Sequence, residues 1–115
     1  MTATRPEQWA PIQAALQARR PLWVHYHGHH RLVCPHALGW KNNRPMLLAY
    51  QTGGHTTSGV LPADPHQRWR CLYIDHIDEV IPADPANKWH TASSYNPGHP
   101  FPAIDTLTVA VTTAS

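Results

Sequence analysis

Hydrophobic residues near the start of the chain recur at the spacing of an amphipathic helix. The apolar stripe consists of Trp9, Ile12 and Leu16. Residues 4–7 have the spacing of a helix capping box, with Thr4 as the cap and Glu7 reaching back. Pro21 stops a helix because it cannot continue the backbone hydrogen bonds. The pattern therefore predicts one short helix over residues 5–20.

After Pro21 the pattern changes to the alternation that is typical of β-strands. Polar turns at residues 27–30 and 41–44 separate the first apolar runs. Strands are expected at residues 22–26, 31–34, 46–50, 69–74 and 77–81, and 107–111 can pair as a last edge strand. The pattern predicts a mainly β chain with one N-terminal helix, an α+β fold.

One face of each element has to meet the same hydrophobic core, so the apolar positions also predict burial. The residues expected to be largely buried are Trp9, Ile12, Leu16, Val24, Val33, Leu48, Leu72 and Ile74. Cys34 and Cys71 lie in apolar strand segments, where a cysteine usually behaves as a small hydrophobic residue. We expect both thiols to be reduced, buried and unreactive.

Composition favours one small domain over residues 1–115. The chain is 42% hydrophobic and 14% charged, and its 12 prolines disfavour long helices. Residues 82–115 are rich in Pro and Gly and are expected to form an extension after the strand-rich part, 22–81. The net charge of +2 is too small for a non-specific duplex-DNA binder. No signal-peptide pattern or membrane-spanning run is visible, so we expect a cytoplasmic protein.

Two segments invite a metal-binding or catalytic interpretation. Residues 25–30 contain four histidines, but no cysteine or carboxylate lies nearby at the spacing of a structural zinc site. Cys34 and His36 would need a third group to orient the histidine, and the sequence shows none. Phosphate-binding glycine loops and paired carboxylates are also missing from the sequence. We therefore expect no catalytic centre, no metal site and no cofactor.

Arg31 and Arg70 each interrupt an otherwise apolar strand. Arginine suits bidentate contact with phosphate, and arginine beside exposed aromatic rings is typical of single-stranded nucleic-acid binding. The aromatic residues that flank the two arginines in sequence are Tyr26, Trp40, Tyr50 and Trp69. An exposed strand face with solvated arginines and buried aromatic rings is the equally weighted alternative.

Taken in order, these segments resemble a WYL domain. The leading helix, the strand at 22–26 and the Arg-Leu-Val-Cys-Pro segment at 31–35 are similar to that family's opening. Residues 46–50 stand where the strand that names the family lies, and residues 69–77 look like its closing strand. The similarity covers residues 8–81 and is greatest to stand-alone bacterial members.

The chain departs from the WYL pattern in the triplet that names the family, which reads Pro45-Met46-Leu47 here. Tyr73 and His76 replace two family arginines, whereas Arg31 and Arg70 match the family's basic ligand cluster. The resemblance implies a small Sm-like antiparallel β-barrel with a leading helix. It also implies a regulatory module, of a kind linked to phage defence or transcriptional control.

The first functional hypothesis is therefore a non-enzymatic module that binds a nucleotide or single-stranded nucleic acid. Arg31 and Arg70 would contact phosphate. The other expected site residues are Tyr26, Tyr50 and Trp69 for stacking, Gln51, Ser58 and His36 for hydrogen bonds, and His76 as a contact below about pH 6.5. The alternative is a protein–protein interaction or oligomerisation module, a homo-oligomer or the companion of a partner protein, whose arginines are merely solvated.

Overall fold

One helix and six strands form most of the regular structure in residues 6–54, 61–91, 104 and 106–111, which the computed structural model describes. They are α1 (Trp9–Ala18), β1 (Leu22–Tyr26), β2 (His29–Lys41), β3 (Arg44–Gly54), β4 (Trp69–Tyr73), β5 (Ile77–Pro82) and β6 (Thr106–Ala110). Single 3-10 turns at Pro65–Gln67 and Ile74–His76 flank β4. The prediction of a mainly β chain with one helix is confirmed.

The helix is shorter than the predicted 5–20, because it begins at Trp9 after a hydrogen-bonded turn. This later start places Pro11 in the first helical turn, where its missing amide would have no helical acceptor. Arg19 ends the helix in the left-handed conformation, with φ at 53°. Thr4, the predicted cap, lies outside the described residues. No helix in the described ranges is long and apolar enough to cross a membrane.

Two tight turns set the hairpins. His27 and Gly28 connect β1 to β2 with φ at 50° and 78°, and Asn42 and Asn43 connect β2 to β3 with φ at 50° and 62°. Two central residues with positive φ match the twist of antiparallel strands, and Gly and Asn adopt that conformation most readily. Both turns lie within the segments predicted at 27–30 and 41–44.

The strands form one antiparallel sheet in the order β4-β3-β2-β1-β5, with β6 added to β2. At 13 residues, β2 extends well beyond the predicted 31–34. Its first part pairs with β1, its later part pairs with β6, and β3 runs along nearly all of it. Register shifts after Leu32, Pro35 and Leu38 mark irregularities that bend a strand. The bends allow one long strand to serve three neighbours.

The sheet curves back on itself without closing. Its edge strands β4 and β5 are joined by the single 3-10 turn Ile74–His76, yet they do not pair with each other in the described residues. The antiparallel arrangement is confirmed, while a closed barrel is not seen.

The hydrophobic core lies between α1 and the curved sheet. All eight residues predicted to be buried are no more than 2% exposed, which confirms that list. Trp9 of α1 stacks on Trp40 of β2 with ring centroids 5.4 Å apart, which fixes the helix against the longest strand.

The burial expected for Cys71 is wrong, because this side chain is exposed. Leu72, the next residue, points into the core from β4. Alternation along a strand therefore turns Cys71 to the other face, and β4 is an edge strand with little to cover it. Cys34 is fully buried as predicted.

Gly39 lets β6 approach β2 closely, and this contact generates a prediction. A Cβ atom at position 39 would overlap the backbone carbonyl oxygen of Thr106 and lie 2.6 Å from Ile104 Cγ2. We expect Gly39→Val to displace β6 and to lower the free energy of unfolding by about 1–3 kcal/mol, the usual cost of overpacking. Urea denaturation measures this change, with Gly53→Ala as the control, since a Cβ there meets Leu32 at an ordinary 3.5 Å. Equal stability of the Gly39→Val variant and wild type would contradict the tight docking of β6.

Candidate functional site

Polar side chains also lie on the core face of the sheet, where apolar residues are the rule. Residues that pair directly across an antiparallel sheet point to the same face. The pairs are Arg31 with Val24, Gln51 with Val33, and Arg70 with Ala49. Each apolar partner belongs to the hydrophobic core. Arg31, Gln51 and Arg70 therefore share the face that packs on the core.

Gln51 connects Arg70 to the sheet. Its side chain is fully buried, and its Oε1 accepts a hydrogen bond from Arg70 Nε at 3.1 Å. Its Nε2 donates to the carbonyl of Gly53 at 2.9 Å. Arg70 Nη1 donates to the carbonyls of Gln67 and Trp69, both at 2.9 Å. These bonds orient the half-buried Arg70 guanidinium, and the acceptors are all neutral oxygens.

Arg31 is held by Tyr26, and only 4% of Arg31 is exposed. Its guanidinium lies over the Tyr26 ring, 5.3 Å from the centroid, and Nη2 donates to the Tyr26 carbonyl at 3.5 Å. The Tyr26 hydroxyl in turn accepts a hydrogen bond from the Tyr73 amide at 3.3 Å. We call Tyr26, Arg31, Gln51 and Arg70 the core-face cluster.

The two arginines of the core-face cluster are close enough to repel each other. Burial lowers the pKa of Arg31, the positive charge of Arg70 lowers it further, and Tyr26 opposes the shift. Burial also lowers the pKa of Arg70. Both guanidinium groups stay charged near neutral pH, since arginine is effectively always protonated. An anion that reached both would relieve the repulsion and restore part of the lost solvation.

Tyr50 and Trp69 lie on the opposite face, since each directly precedes a core-face member along its strand. They form a cross-strand pair with ring centroids 5.0 Å apart. The imidazole of His36 packs edge-on against both rings, at 6.4 and 4.8 Å, and stacks with Trp89 at 4.6 Å. We call His36, Tyr50, Trp69 and Trp89 the outer-face cluster. Tyr50 and Trp69 were predicted to act beside the arginines, whereas in the structure they lie on the other face of the sheet.

His36 is a fully buried member of the outer-face cluster. Its Nδ1 donates to the backbone carbonyl of Cys34 at 2.7 Å. Burial lowers the pKa of His36 to about 4; the bond to Cys34 opposes this shift, and the charge of Arg19 adds to it. The imidazole is therefore neutral at physiological pH. It is not brought together with Arg31 or Arg70.

The Cys34 thiol is not aligned with His36 for nucleophilic chemistry. The histidine bonds to the Cys34 carbonyl, and Cys34 Sγ instead accepts a weak hydrogen bond from the His90 amide at 3.4 Å. Burial raises the pKa of Cys34 to about 11, and the bond from His90 opposes that shift. A thiol in this state carries almost no thiolate at neutral pH.

His76 lies in a third group of residues, next to Tyr26 but apart from Arg70. Arg44 Nη2 donates to His76 Nε2 at 3.1 Å, so the neutral His76 ring donates from Nδ1 to His27 Nε2 at 3.3 Å. Arg44 also makes two bonds to Asp75, at 3.0 and 3.3 Å. Arg44 is not among the predicted site residues, because nothing in the sequence links it to an aspartate 31 positions away.

Arg44 also stacks over Tyr73, 3.8 Å from the ring centroid. Its charge is thus balanced by a carboxylate and an aromatic ring, and the bond to Asp75 raises its pKa. Tyr73 and His76 both contact Arg44.

The histidine-rich hairpin is arranged around carboxylates of β5. His25 Nδ1 donates to Asp78 at 3.1 Å, and His30 lies 3.9 Å from Glu79. No group of three or more His, Cys, Asp or Glu residues is placed to hold a metal ion within the described ranges. Ser58, the remaining predicted site residue, lies outside them.

Comparison with protein-family models, curated proteins and solved structures gives no match. The resemblance to the WYL family therefore stays a prediction, and the functional argument depends on the site itself.

The burial of His36 predicts a loss of stability in acid. Between about pH 6.5 and 4 the unfolded chain binds a proton at His36 that the folded protein does not. The stabilising contribution is therefore complete above pH 6.5 and is lost as pH falls toward 4, by roughly 3 kcal/mol in all. Urea denaturation across this range should show a shallower pH dependence for His36→Phe than for wild type. The exposed His66→Gln control should keep the wild-type slope, and an unchanged slope in His36→Phe would refute the assignment.

The two cysteines should differ in labelling. Cys34 is fully buried with a raised pKa, so a thiol reagent should reach it only after unfolding. Cys71 is exposed, although partial desolvation raises its pKa too, so it should react slowly in the native protein. Mass spectrometry after native labelling should show one modified thiol in wild type and none in Cys71→Ser. Native labelling of Cys71→Ser would mean that Cys34 is accessible.

Proposed function

We propose that the chain is a non-enzymatic, cytoplasmic regulatory module that binds the phosphate of a nucleotide or single-stranded nucleic acid at its core-face cluster. The observation that carries this proposal is a pair of mutually repelling, partly desolvated arginines on one face of the sheet. Gln51, which holds Arg70, bonds to it through a neutral amide oxygen. A phosphate between the guanidinium groups would add negative charge and offset their repulsion through charge-assisted bonds.

The order of burial indicates how a phosphate would enter. Gln51 is fully buried and Arg31 nearly so, whereas Arg70 is half-buried. The phosphate would therefore contact Arg70 first and then reach Arg31, whose guanidinium lies over the Tyr26 ring. Gln51 keeps Arg70 in place without neutralising it. Such fixed donors lose little entropy on binding, which favours affinity.

The curvature of the sheet supports the same account. One 3-10 turn joins the edge strands β4 and β5, and bulges bend β2, and such curvature is what the Sm-like barrel implied by the resemblance would need. The resemblance to WYL domains assigns Arg31 and Arg70 to the ligand cluster of that family, which is linked to phage defence and transcriptional control. The sequence pattern and the core-face geometry thus support the same two residues.

A binding experiment tests the proposal with Arg70 as the principal target. Replacing Arg70 with Ala should weaken binding of a short single-stranded oligonucleotide by about 1.5–3 kcal/mol, the scale of a hydrogen bond to a charged group. Arg70→Lys should recover part of the loss, because lysine keeps the charge without the bidentate geometry. Fluorescence polarisation at two salt concentrations measures both effects. Lys41→Ala, which removes one charge at the far end of β2, is the matched control.

Arg31→Ala needs a stability measurement beside the binding curve. Arg31 is almost fully buried, so its replacement also alters the packing of the fold. Binding by wild type that is lost in Arg70→Ala and kept in Lys41→Ala supports the proposal. No binding by wild type at low salt, or equal binding by wild type and Arg70→Ala, would overturn it.

The alternative function is interaction with a second copy or with a partner protein through the β5 edge. Ile81 of this edge strand is 46% exposed and pairs with the half-buried Trp23. Apolar side chains therefore continue across the sheet to an edge that no other described strand pairs with. Edge strands with exposed apolar residues are ready to pair with another chain. Light scattering of wild type and Ile81→Lys tests it: a dimer that the substitution turns into a monomer would favour this alternative.

A further inference from the structure

A second cationic cleft lies where α1 ends. It has a volume of about 300 Å³ and is lined by Arg19 and Arg20 on one side and by Lys88 and Trp89 on the other. Trp89 belongs to the outer-face cluster, and the lining of this cleft includes no member of the core-face cluster. It is independent of the function proposed for the core-face cluster.

Hydrogen bonds fix both walls of the cleft. The Ala83 amide donates to the carbonyl of Pro21 at 3.3 Å, which ties the segment after β5 to the end of α1. Asp84 Oδ1 accepts from the Ala86 amide at 2.8 Å, and its carbonyl accepts from the Asn87 amide at 2.8 Å. The cleft is therefore formed before any ligand binds.

The charges that line the cleft favour an anion. Three cationic side chains, Arg19, Arg20 and Lys88, face one carboxylate, Asp84, which leaves two net positive charges. Backbone amides of Arg19 and Arg20 already donate to α1 carbonyls, so the helix end does not need the Arg20 side chain as a cap. Arg20 and Lys88 are both exposed and can reorient toward a bound group.

Trp89 provides a flat apolar surface beside these charges. Its ring stacks on His36 with centroids 4.6 Å apart and planes 30° from parallel, which fixes its orientation. The same residue is half-buried and lines the cleft. A planar ring can stack on the part of Trp89 that faces the cleft, as bases do on aromatic side chains.

We infer that this cleft binds a nucleoside monophosphate, with the base on Trp89 and the phosphate between Arg20 and Lys88. A phosphate monoester carries close to two negative charges near pH 7, which matches the net charge of the lining. Guanidinium and ammonium groups both bind phosphate well. A cleft of about 300 Å³ lies at the lower end of the size range of small-molecule sites.

Titration with adenosine monophosphate, followed by tryptophan fluorescence, tests this site. We expect saturable quenching in wild type and no quenching signal in Trp89→Phe. Replacing either Arg20 or Lys88 with Ala should weaken binding by about threefold, and the double variant by about tenfold, the scale of exposed charge contacts. Adenosine without the phosphate should bind more weakly than the monophosphate.

Lys41→Ala is the matched control, because it removes one charge at a residue that belongs neither to this cleft nor to the core-face cluster. Wild-type affinity for adenosine monophosphate in Lys41→Ala, together with weaker binding in the Arg20 and Lys88 double variant, supports the second site. Equal affinity of wild type and the double variant would overturn it, as would absence of binding at millimolar concentration. Loss of binding only in Arg70→Ala would assign the nucleotide to the core-face cluster instead.

Discussion

A charged guanidinium on the core side of a small sheet is the constraint on which the rest of the structure depends. Arg31 stands opposite a core valine and is only 4% exposed. Burial of a charge is costly unless other groups compensate for it. The Tyr26 ring and carbonyl supply part of that compensation, and the β1–β2 hairpin must end where it does to place them there. The positive charge of Arg70 repels that of Arg31, and this repulsion also opposes folding.

The two faces of the sheet divide the polar and aromatic residues between them. The core-face cluster contains two cationic side chains, Arg31 and Arg70, and Arg70 is the more exposed of the two. The outer-face cluster buries His36 among three aromatic rings and is stabilised only while that histidine is neutral. Trp89 closes this cluster and also forms a wall of the cleft at the end of α1. A ligand in that cleft would thus contact the Trp89 ring, which also contributes to the stability of the fold.

Local patterns predicted much of the fold. The period of the apolar positions located α1, β1 and eight core residues, and the polar segments between apolar runs located both hairpin turns, because those features depend on neighbours close in sequence. The extension of β2 beyond Pro35 was missed, since proline usually excludes a central strand position and only the bulge there accommodates it. Alternation along β3 and β4 already implied that Tyr50 and Gln51, like Trp69 and Arg70, face opposite sides.

Long-range contacts could not be predicted in this way. The stacking of Trp89 on His36 and the pairing of Arg44 with Asp75 join residues that are far apart in sequence. Both depend on how the curved sheet brings separate segments together, and a single sequence carries no signal for such pairs. The sequence by itself singles out the candidate arginines, because each interrupts an apolar strand segment. Their burial and their position relative to the aromatic rings came only from the folded arrangement.

The central claim is that Arg31 and Arg70 bind one anionic group together. Arginine side-chain Nε–Hε resonances, observed by NMR during titration with a short single-stranded oligonucleotide, report on each guanidinium separately. The account predicts that the signals of Arg31 and Arg70 shift together along one saturable curve, while those of Arg44 and Arg68 stay nearly constant. Saturable binding with both signals unmoved, or movement of only one of them, would contradict a shared site.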